Sequence, residues 1–297
     1  QKAMVLLEKN IQGNYFAKFG IETALLDAQG KRLKVSIATL LGGSLTQTLP
    51  VLWTLASGDT HKDIEEAQEL LASKRHNTFK LKIGRNDPSI DIKHVSAIKK
   101  AVGDAVKITV DVNQAWNEST AKKSIAILQD AGIDLIEQPI SKENKEGLAR
   151  LTSYFHVPIM ADEAMCTPSD AFHLAKIRAG SVFALKPAKA GGLRNIIKIA
   201  GIAEVAGISL YGGTMLEGTI GTLASAHVFS TLKSLDWGTE LFGPLLLTDE
   251  IVIKKINYTN GKLEIPEGYG LGIELDLDKI EKYRRQPINT KPLCYTS

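Results

Sequence analysis

Short apolar runs alternate with longer amphipathic stretches along most of this chain, with a regular period. The runs recur roughly 24 to 29 residues apart, which is the length of one βα unit. They are VLWTLA (51–56), FKLKIG (79–84), KITVDVN (107–113), DLIEQP (134–139), PIMADE (158–163), VFALKP (182–187), ISLYGG (208–213) and LDWGTE (235–240). Eight such units predict a closed parallel barrel of the TIM type. An open doubly wound sheet is the alternative, although no GxGxxG motif opens the first helix.

The stretches between the runs have helical periodicity. Ile92, Val95 and Ile98 keep the spacing of one buried helix face. Thr167, which is followed by a proline, has the pattern of a helix N-cap, and Ser119 is a second candidate for such a position. Each amphipathic stretch is therefore predicted to form a helix that covers the barrel.

The two ends of the chain depart from this repeat. Residues 1–48 have the pattern of helices plus a connector, whereas residues 250–281 are strand-like and punctuated by glycine and proline. We therefore predict a catalytic (β/α) barrel domain over residues 49–244. The helical part of a smaller α+β capping domain is predicted at 1–48, with a segment at 245–297 that returns to it.

Composition and charge exclude several classes of protein. Of the 297 residues, 44% are hydrophobic and 23% are charged, as in ordinary globular proteins. The net charge of +3 is small and the basic residues are not interleaved with aromatic ones, so no nucleic-acid partner is expected. No apolar run has the length of a membrane span and no signal peptide is recognisable, so no membrane association is expected. Cys166 and Cys294 fit neither CxxC nor zinc spacing and indicate free thiols in a reducing cytoplasm.

One predicted strand carries two lysines. Phe79, Leu81 and Ile83 alternate with Lys80 and Lys82, so the apolar side chains face the helices and both lysines point into the barrel. Two neighbouring ammonium groups disfavour each other's charge, and burial acts in the same direction. We therefore expect one of the two lysines to be neutral near pH 7 and to act as a base.

Three carboxylates end three successive predicted strands, at the barrel face where active sites lie. These are Asp111, Glu137 and Asp162; the next strand ends near Lys186, and the last of the eight ends at Glu240. Three acids in one water-poor site would repel each other unless a divalent cation binds between them. Oxygen ligands without His or Cys favour Mg²⁺ or Mn²⁺ over Zn²⁺. The sequence therefore predicts a site for one such cation.

Seven segments, taken in order and at their spacing, resemble the muconate-lactonizing branch of the enolase superfamily over nearly the whole chain. They are KLKIG (80–84), DVNQAW (111–116), IEQP (136–139), MADEA (160–164), ALKPAKAGG (184–192), GGTMLEGTIGTLASA (212–226) and WGTELFGP (237–244). The resemblance implies the same barrel and capping domain. It also implies an isomerase that interconverts cis,cis-muconate and muconolactone through a metal-stabilised enolate, in catechol degradation by the β-ketoadipate pathway. A small dicarboxylate substrate, a homo-oligomer and one bound Mn²⁺ or Mg²⁺ are expected with it.

The resemblance also implies roles for single residues. The metal ligands would be Asp111, Glu137 and Asp162. Lys82 would be the acid/base group, Lys80 the neighbour that tunes its pKa, Lys186 the lysine on the opposite face, and Glu240 the acid often assigned as proton donor. Asn113 and Glu217 are weaker candidates, for contact with the substrate or for support of the site.

Several alternatives remain open at this point. Members of the branch that act on chloromuconate, o-succinylbenzoate synthases, N-acylamino acid racemases and dipeptide epimerases keep the same lysines and acids. Asp236-Trp-Gly-Thr-Glu240 argues against an epimerase, which carries an Asp-x-Asp pair there. A Schiff-base aldolase using Lys82 or Lys186 and a non-catalytic chain are further alternatives. Family members also carry an N-terminal β-rich portion that covers the barrel mouth, and we expect such a portion to precede Gln1.

Overall fold

Seven of the eight apolar runs contain the strands that they predict, and three further strands lie outside those runs. The structure, a computed structural model, describes residues 2–285, so Cys294 and the end of the predicted segment 245–297 lie outside the described residues. The strands are β1 Thr48–Pro50, β2 Trp53–Leu55, β3 Thr78–Lys82, β4 Lys107–Asp111, β5 Leu135–Glu137, β6 Ile159–Ala161, β7 Val182–Leu185, β8 Ser209–Gly212, β9 Tyr258–Thr259 and β10 Lys262–Glu264.

The strands from β2 to β8 form one parallel sheet in sequential order, in which each strand pairs with the next along the chain. Their residues are almost all buried, because side chains fill the inside of the sheet and helices cover its outside. The described residues therefore confirm the predicted (β/α) barrel, with seven regular strands rather than eight.

The eighth run closes the barrel through its backbone without forming a regular strand. Thr239 bridges Val51 on one side and Gly212 on the other, both in parallel. Gly238 has a positive φ of 67°, which interrupts the extended conformation just before the bridge. Pairing is therefore confined to the short stretch that leads to Glu240, and the predicted eighth strand is reduced to these two bridges.

Helices follow the barrel strands and cover the outside of the barrel, and further helices lie before and after the barrel along the chain. They are α1 Lys2–Asn10, α2 Tyr15–Leu33, α3 Ile37–Leu40, α4 Thr60–Ala72, α5 Pro88–Val102, α6 Glu118–Asp130, α7 Lys145–Tyr154, α8 Pro168–Ile177, α9 Pro187–Ala190, α10 Leu193–Ala206, α11 Thr219–Phe229 and α12 Leu277–Tyr283, with a 3₁₀ turn at Gly243–Leu246. In α5 the predicted face is buried, with Ile92, Val95 and Ile98 at most 8% exposed. No helix within residues 2–285 is both long and apolar enough to cross a membrane.

Two predicted N-caps had different outcomes. Thr167 caps α8 through a reciprocal pair of hydrogen bonds with Asp170, as predicted. Asn117, not Ser119, caps α6, because the Asn117 side chain accepts a hydrogen bond from the backbone N–H of Thr120.

A second, small sheet joins the segment just before the barrel to the segment after it. Strand β10 pairs with β1 and β9, and both pairings are antiparallel. The strand-like pattern over residues 250–281 is therefore right only around 258–264, because Leu277–Tyr283 is a helix and most of the remaining segment is irregular. Pro266 and several glycines with positive φ account for this irregularity.

Candidate active site

The charged side chains predicted from the sequence gather at one end of the parallel sheet. Lys82, Asp111 and Glu137 are register partners on β3, β4 and β5, so they lie side by side at the carboxyl ends of these strands. Asp162 directly follows β6 and Lys186 directly follows β7. The structure thus brings the predicted lysines and acids to one mouth of the barrel.

Two of the three predicted metal ligands are destabilised as anions. Glu137 is fully buried, and burial together with the neighbouring Asp111 raises its pKa well above the usual value despite the ammonium of Lys80. Burial also raises the pKa of Asp111, and Asp162 contributes in the same direction. The three carboxylates are therefore close enough to repel one another, as the sequence predicts.

Asp162 is held by two lysines. Its Oδ2 lies 2.5 Å from the Lys186 Nζ, and its Oδ1 accepts a hydrogen bond from Lys189. Burial alone would raise the pKa of Asp162, but the two ammonium groups outweigh it and lower that pKa far below its usual range. Asp162 thus keeps its negative charge inside the barrel.

Lys80 lies between two carboxylates in the barrel interior. Its Nζ is 2.7 Å from Glu137 Oε2 and 2.8 Å from Glu240 Oε2. Burial lowers the pKa of Lys80, but these two anions more than offset it, so the pKa lies well above the ordinary value. The raised pKa disfavours loss of the Lys80 proton, so Lys80 is a poor candidate for the base predicted from the lysine pair.

Lys82 has different surroundings from Lys80. Its side chain is 50% exposed at the mouth of the barrel, and its Nζ lies 3.5 Å from Asp111 Oδ2. Of the two lysines on β3, Lys82 is therefore the one that a bound molecule can reach.

Glu240 accepts hydrogen bonds from three sides. Lys80 Nζ, Tyr211 Oη at 3.1 Å and Thr54 Oγ1 at 3.2 Å all point at its carboxylate. Burial raises the pKa of Glu240, but Lys80 and Lys186 outweigh this and lower it. A carboxylate with a lowered pKa is an acceptor, so this geometry favours an electrostatic role for Glu240 over proton donation.

The two weaker candidates support neighbouring groups. Asn113 has a positive φ of 44°, and its N–H donates to Asp111 Oδ1 at 3.0 Å. Glu217 Oε2 accepts from Thr214 Oγ1 at 2.6 Å and from the backbone N–H of Met215 at 2.8 Å. Asn113 thus orients Asp111, and Glu217 orders its own loop.

Some residues of the site were not assigned from the sequence. Tyr211 and Thr54 hold Glu240, Gln138 Oε1 accepts from the backbone N–H groups of Asp162 and Ala164, and Lys189 binds Asp162. Gln138 and Lys189 both lie inside the motifs that carry the family resemblance, so the sequence shows that these residues are present. The sequence does not predict their contacts, because each contact partner belongs to another strand or loop.

The donor set suits a hard divalent cation. Both carboxylate oxygens of Glu137 are buried without a hydrogen-bond partner among the described residues, although Oε2 faces Lys80. Among residues 2–285 no three His, Cys, Asp or Glu side chains converge on one point, because the carboxylates here turn toward lysines. Oxygen donors from three neighbouring strands that repel one another nevertheless fit a divalent cation such as Mn²⁺ or Mg²⁺.

The fold and the site together define a class of protein. Residues 62–279 match the model of the enolase C-terminal domain-like family, and residues 1–42 match the N-terminal domain of mandelate racemase and muconate lactonizing enzyme. The chain therefore belongs to this enolase-like family of mandelate racemases and muconate lactonizing enzymes.

Within the family, particular relatives are highly similar. Muconate cycloisomerase 1 of Pseudomonas putida is 56% identical over 96% of this chain and 76% of the relative. The structure of the muconate lactonizing enzyme of Pseudomonas fluorescens in complex with muconolactone has a TM-score of 0.94 at 56% identity, and the match covers 96% of this chain and 76% of that one. A chloromuconate cycloisomerase of Cupriavidus necator is less similar, at 45% identity over 96% of this chain and 77% of the relative.

Proposed function

We propose that this protein is a muconate cycloisomerase that interconverts cis,cis-muconate and muconolactone in catechol degradation. The observation that carries the proposal is the alignment of Lys82, Asp111 and Glu137 at the barrel mouth, with Lys186 nearby on Asp162. The higher identity to a muconate enzyme than to a chloromuconate enzyme favours the unchlorinated substrate.

The reaction joins one carboxylate oxygen of muconate to a carbon of the diene. As the C–O bond forms, an electron pair shifts toward the second carboxylate, and the carbon beside that carboxylate then takes a proton. We assign this proton to the ammonium of Lys82, because Lys82 is the exposed lysine of the pair. In the reverse direction the same amine removes the proton.

The remaining side chains have electrostatic roles in this proposal. Lys80 stays protonated between Glu137 and Glu240 and keeps positive charge beside Lys82. Lys186 offers a second ammonium to the substrate carboxylate, where negative charge develops. Glu240, an ionised acceptor, fixes Lys80 rather than giving up a proton.

Asp111, Glu137 and Asp162 are the residues that would hold a divalent cation, and we propose Mn²⁺. When bound, the cation supplies positive charge that stabilises the developing charge on the substrate carboxylate. The chain's own contribution is to keep Asp111 and Glu137 in register with Lys82 and Asp162 buried just past the next strand, with Asn113 orienting Asp111.

A homo-oligomer in the cytoplasm is also part of the proposal. Helices α1 and α2 expose several large apolar side chains, which supports self-association: Val5, Leu6, Phe16, Ile21 and Leu25. Light scattering coupled to size-exclusion chromatography tests the oligomer, and a monomer at micromolar concentration would contradict it.

The activity is tested by the ultraviolet absorbance of the muconate diene. Loss of this absorbance should require the protein and Mn²⁺, stop in excess EDTA, and be faster with muconate than with chloromuconate. Faster reaction with chloromuconate than with muconate would favour a chloromuconate cycloisomerase instead. Stable absorbance with both substrates in the presence of Mn²⁺ would overturn the proposal.

A further inference from the structure

A lysine without an assigned role contacts one of the proposed metal ligands at two atoms. Lys189 lies on the short helix α9, three residues after Lys186, and is 9% exposed. Its Nζ donates to the backbone carbonyl oxygen of Asp162 at 2.5 Å and also to Asp162 Oδ1. Lys186 contacts the other carboxylate oxygen, Oδ2, and no backbone atom of Asp162.

The backbone that carries Lys189 is fixed from two sides. On one side Pro187 starts α9 directly after Lys186, at a position where proline's fixed φ suits a helix. On the other side Gly192 has a φ of 142°, and a Cβ there would collide with the Glu22 carboxylate. Glu22 comes from α2 and accepts from the backbone N–H of Leu193 at 2.5 Å, at the start of α10.

These contacts distinguish the two lysines on Asp162. A side chain hydrogen-bonded to both the carbonyl and the carboxylate of one residue restricts that residue's side-chain rotation. Lys186 hydrogen-bonds only the carboxylate, so it is the partner that a cation can displace from Asp162 and that a substrate carboxylate can attract away. We propose that Lys189 is a positioning residue that orients Asp162 for the cation. This inference rests on the proposed function, in which Asp162 binds a metal ion.

Simple charge repulsion gives the opposite expectation. An ammonium group next to a cation site repels the cation, so removing it should tighten binding. A residue that orients a ligand acts in the other direction, because removing such a partner typically weakens metal affinity by about 10-fold to 100-fold. The sign of the change in Mn²⁺ affinity therefore separates the two roles.

The experiment measures the Mn²⁺ dissociation constant without substrate, from the electron paramagnetic resonance signal of free Mn²⁺. Lys189→Met should raise this constant by about 10-fold to 100-fold, and Lys189→Arg, which keeps a charged donor, should restore most of the affinity. Lys198→Met is the matched control, because Lys198 is exposed on α10 and contacts only Asn195 in its hydrogen bonding. The control should bind Mn²⁺ like the wild type.

Circular dichroism shows whether each variant is folded, and Lys189→Gln replaces Lys189→Met if the latter is not. Unchanged or tighter Mn²⁺ binding by folded Lys189→Met or Lys189→Gln would overturn the role of Lys189 alone. Failure of the wild type itself to bind Mn²⁺ would overturn the metal site in the proposed function as well.

Discussion

Two lysines on one strand, Lys80 and Lys82, have opposite surroundings. Lys80 is buried between two carboxylates, whereas the side chain of Lys82 is half exposed at the barrel mouth. Strand alternation places both inside the barrel but does not reveal how deep each one lies. The difference in depth gives Lys80 a charge-holding role and leaves Lys82 for proton transfer.

Removing Lys80 should destabilise the protein. Lys80→Met leaves Glu137 and Glu240 buried without their shared cation, and breaking a buried ion pair from one side costs about 3–5 kcal/mol. Urea unfolding without added metal should therefore give a clearly lower free energy of unfolding. Lys82→Met is the matched control and should have little effect, because its side chain is half exposed. Equal losses in the two variants would contradict the buried network.

The stability that Glu137 contributes to the metal-free protein should fall as pH rises above 4.5. The pKa of Glu137 is raised in the folded state, so the folded protein binds this proton more tightly than the unfolded chain does. Stability from this group is present below the ordinary pKa of 4.5 and is lost as pH rises through the raised pKa. Thermal unfolding in EDTA over a pH series measures this loss.

Glu137→Gln is the control for this pH dependence. The variant lacks the titrating group, so its melting temperature should fall less over the same range. Added Mn²⁺ should also reduce the decline in the wild type, because the cation favours the ionised carboxylates. Parallel pH profiles for wild type and Glu137→Gln in EDTA would contradict the raised pKa.

At the scale of elements, periodicity predicts most of the barrel. Alternating apolar positions and the βα period locate β2 to β8, and strand-end charges locate Asp111, Glu137 and Asp162. Periodicity does not predict where the backbone becomes irregular. The bridge at Thr239 follows a glycine with positive φ, and the apolar pattern of residues 235–240 does not distinguish such a bridge from a strand.

The local pattern of apolar and polar residues does not predict contacts between distant elements. Glu22 and Leu193 are 171 residues apart, yet the Glu22 carboxylate accepts the N–H at the start of α10. Lys189 similarly depends on a turn that is shaped by both the barrel and α2. These contacts appear only when the helices are packed, so the sequence predicts the charged residues of the site better than the residues that hold them.

Glu22 should stabilise α10 from outside that helix. Gly192, the residue before α10, has no side chain to cap it, and Glu22 takes this role and also pairs with Arg194. Glu22→Ala should lower the free energy of unfolding by about 0.5–2 kcal/mol, the usual range for a lost N-cap. Glu204→Ala, at an exposed ion pair, should change it little. No difference between the two variants in urea unfolding would contradict the capping role.

At the scale of the whole molecule, the barrel and the chain ends pack together. Helix α2 contacts α9 and α10 of the barrel, while β1 and β10 join the segments on either side of the barrel in one small sheet. We propose the division into 1–48, 49–244 and 245–297 on this basis, although β1 spans the first boundary. The capping helices thus reach the segment that carries Lys186 and Lys189.

The central claim is that this barrel closes a lactone and that Lys82 delivers the proton to carbon. The most direct measurement is proton NMR of the product formed from cis,cis-muconate in D₂O with Mn²⁺. We expect muconolactone with one deuterium on the carbon beside its free carboxylate. Lys82→Ala should form this product about 10²-fold to 10⁴-fold more slowly, although it remains folded and binds Mn²⁺. Absence of lactone from the wild type, or equal rates in the two proteins, would contradict the account.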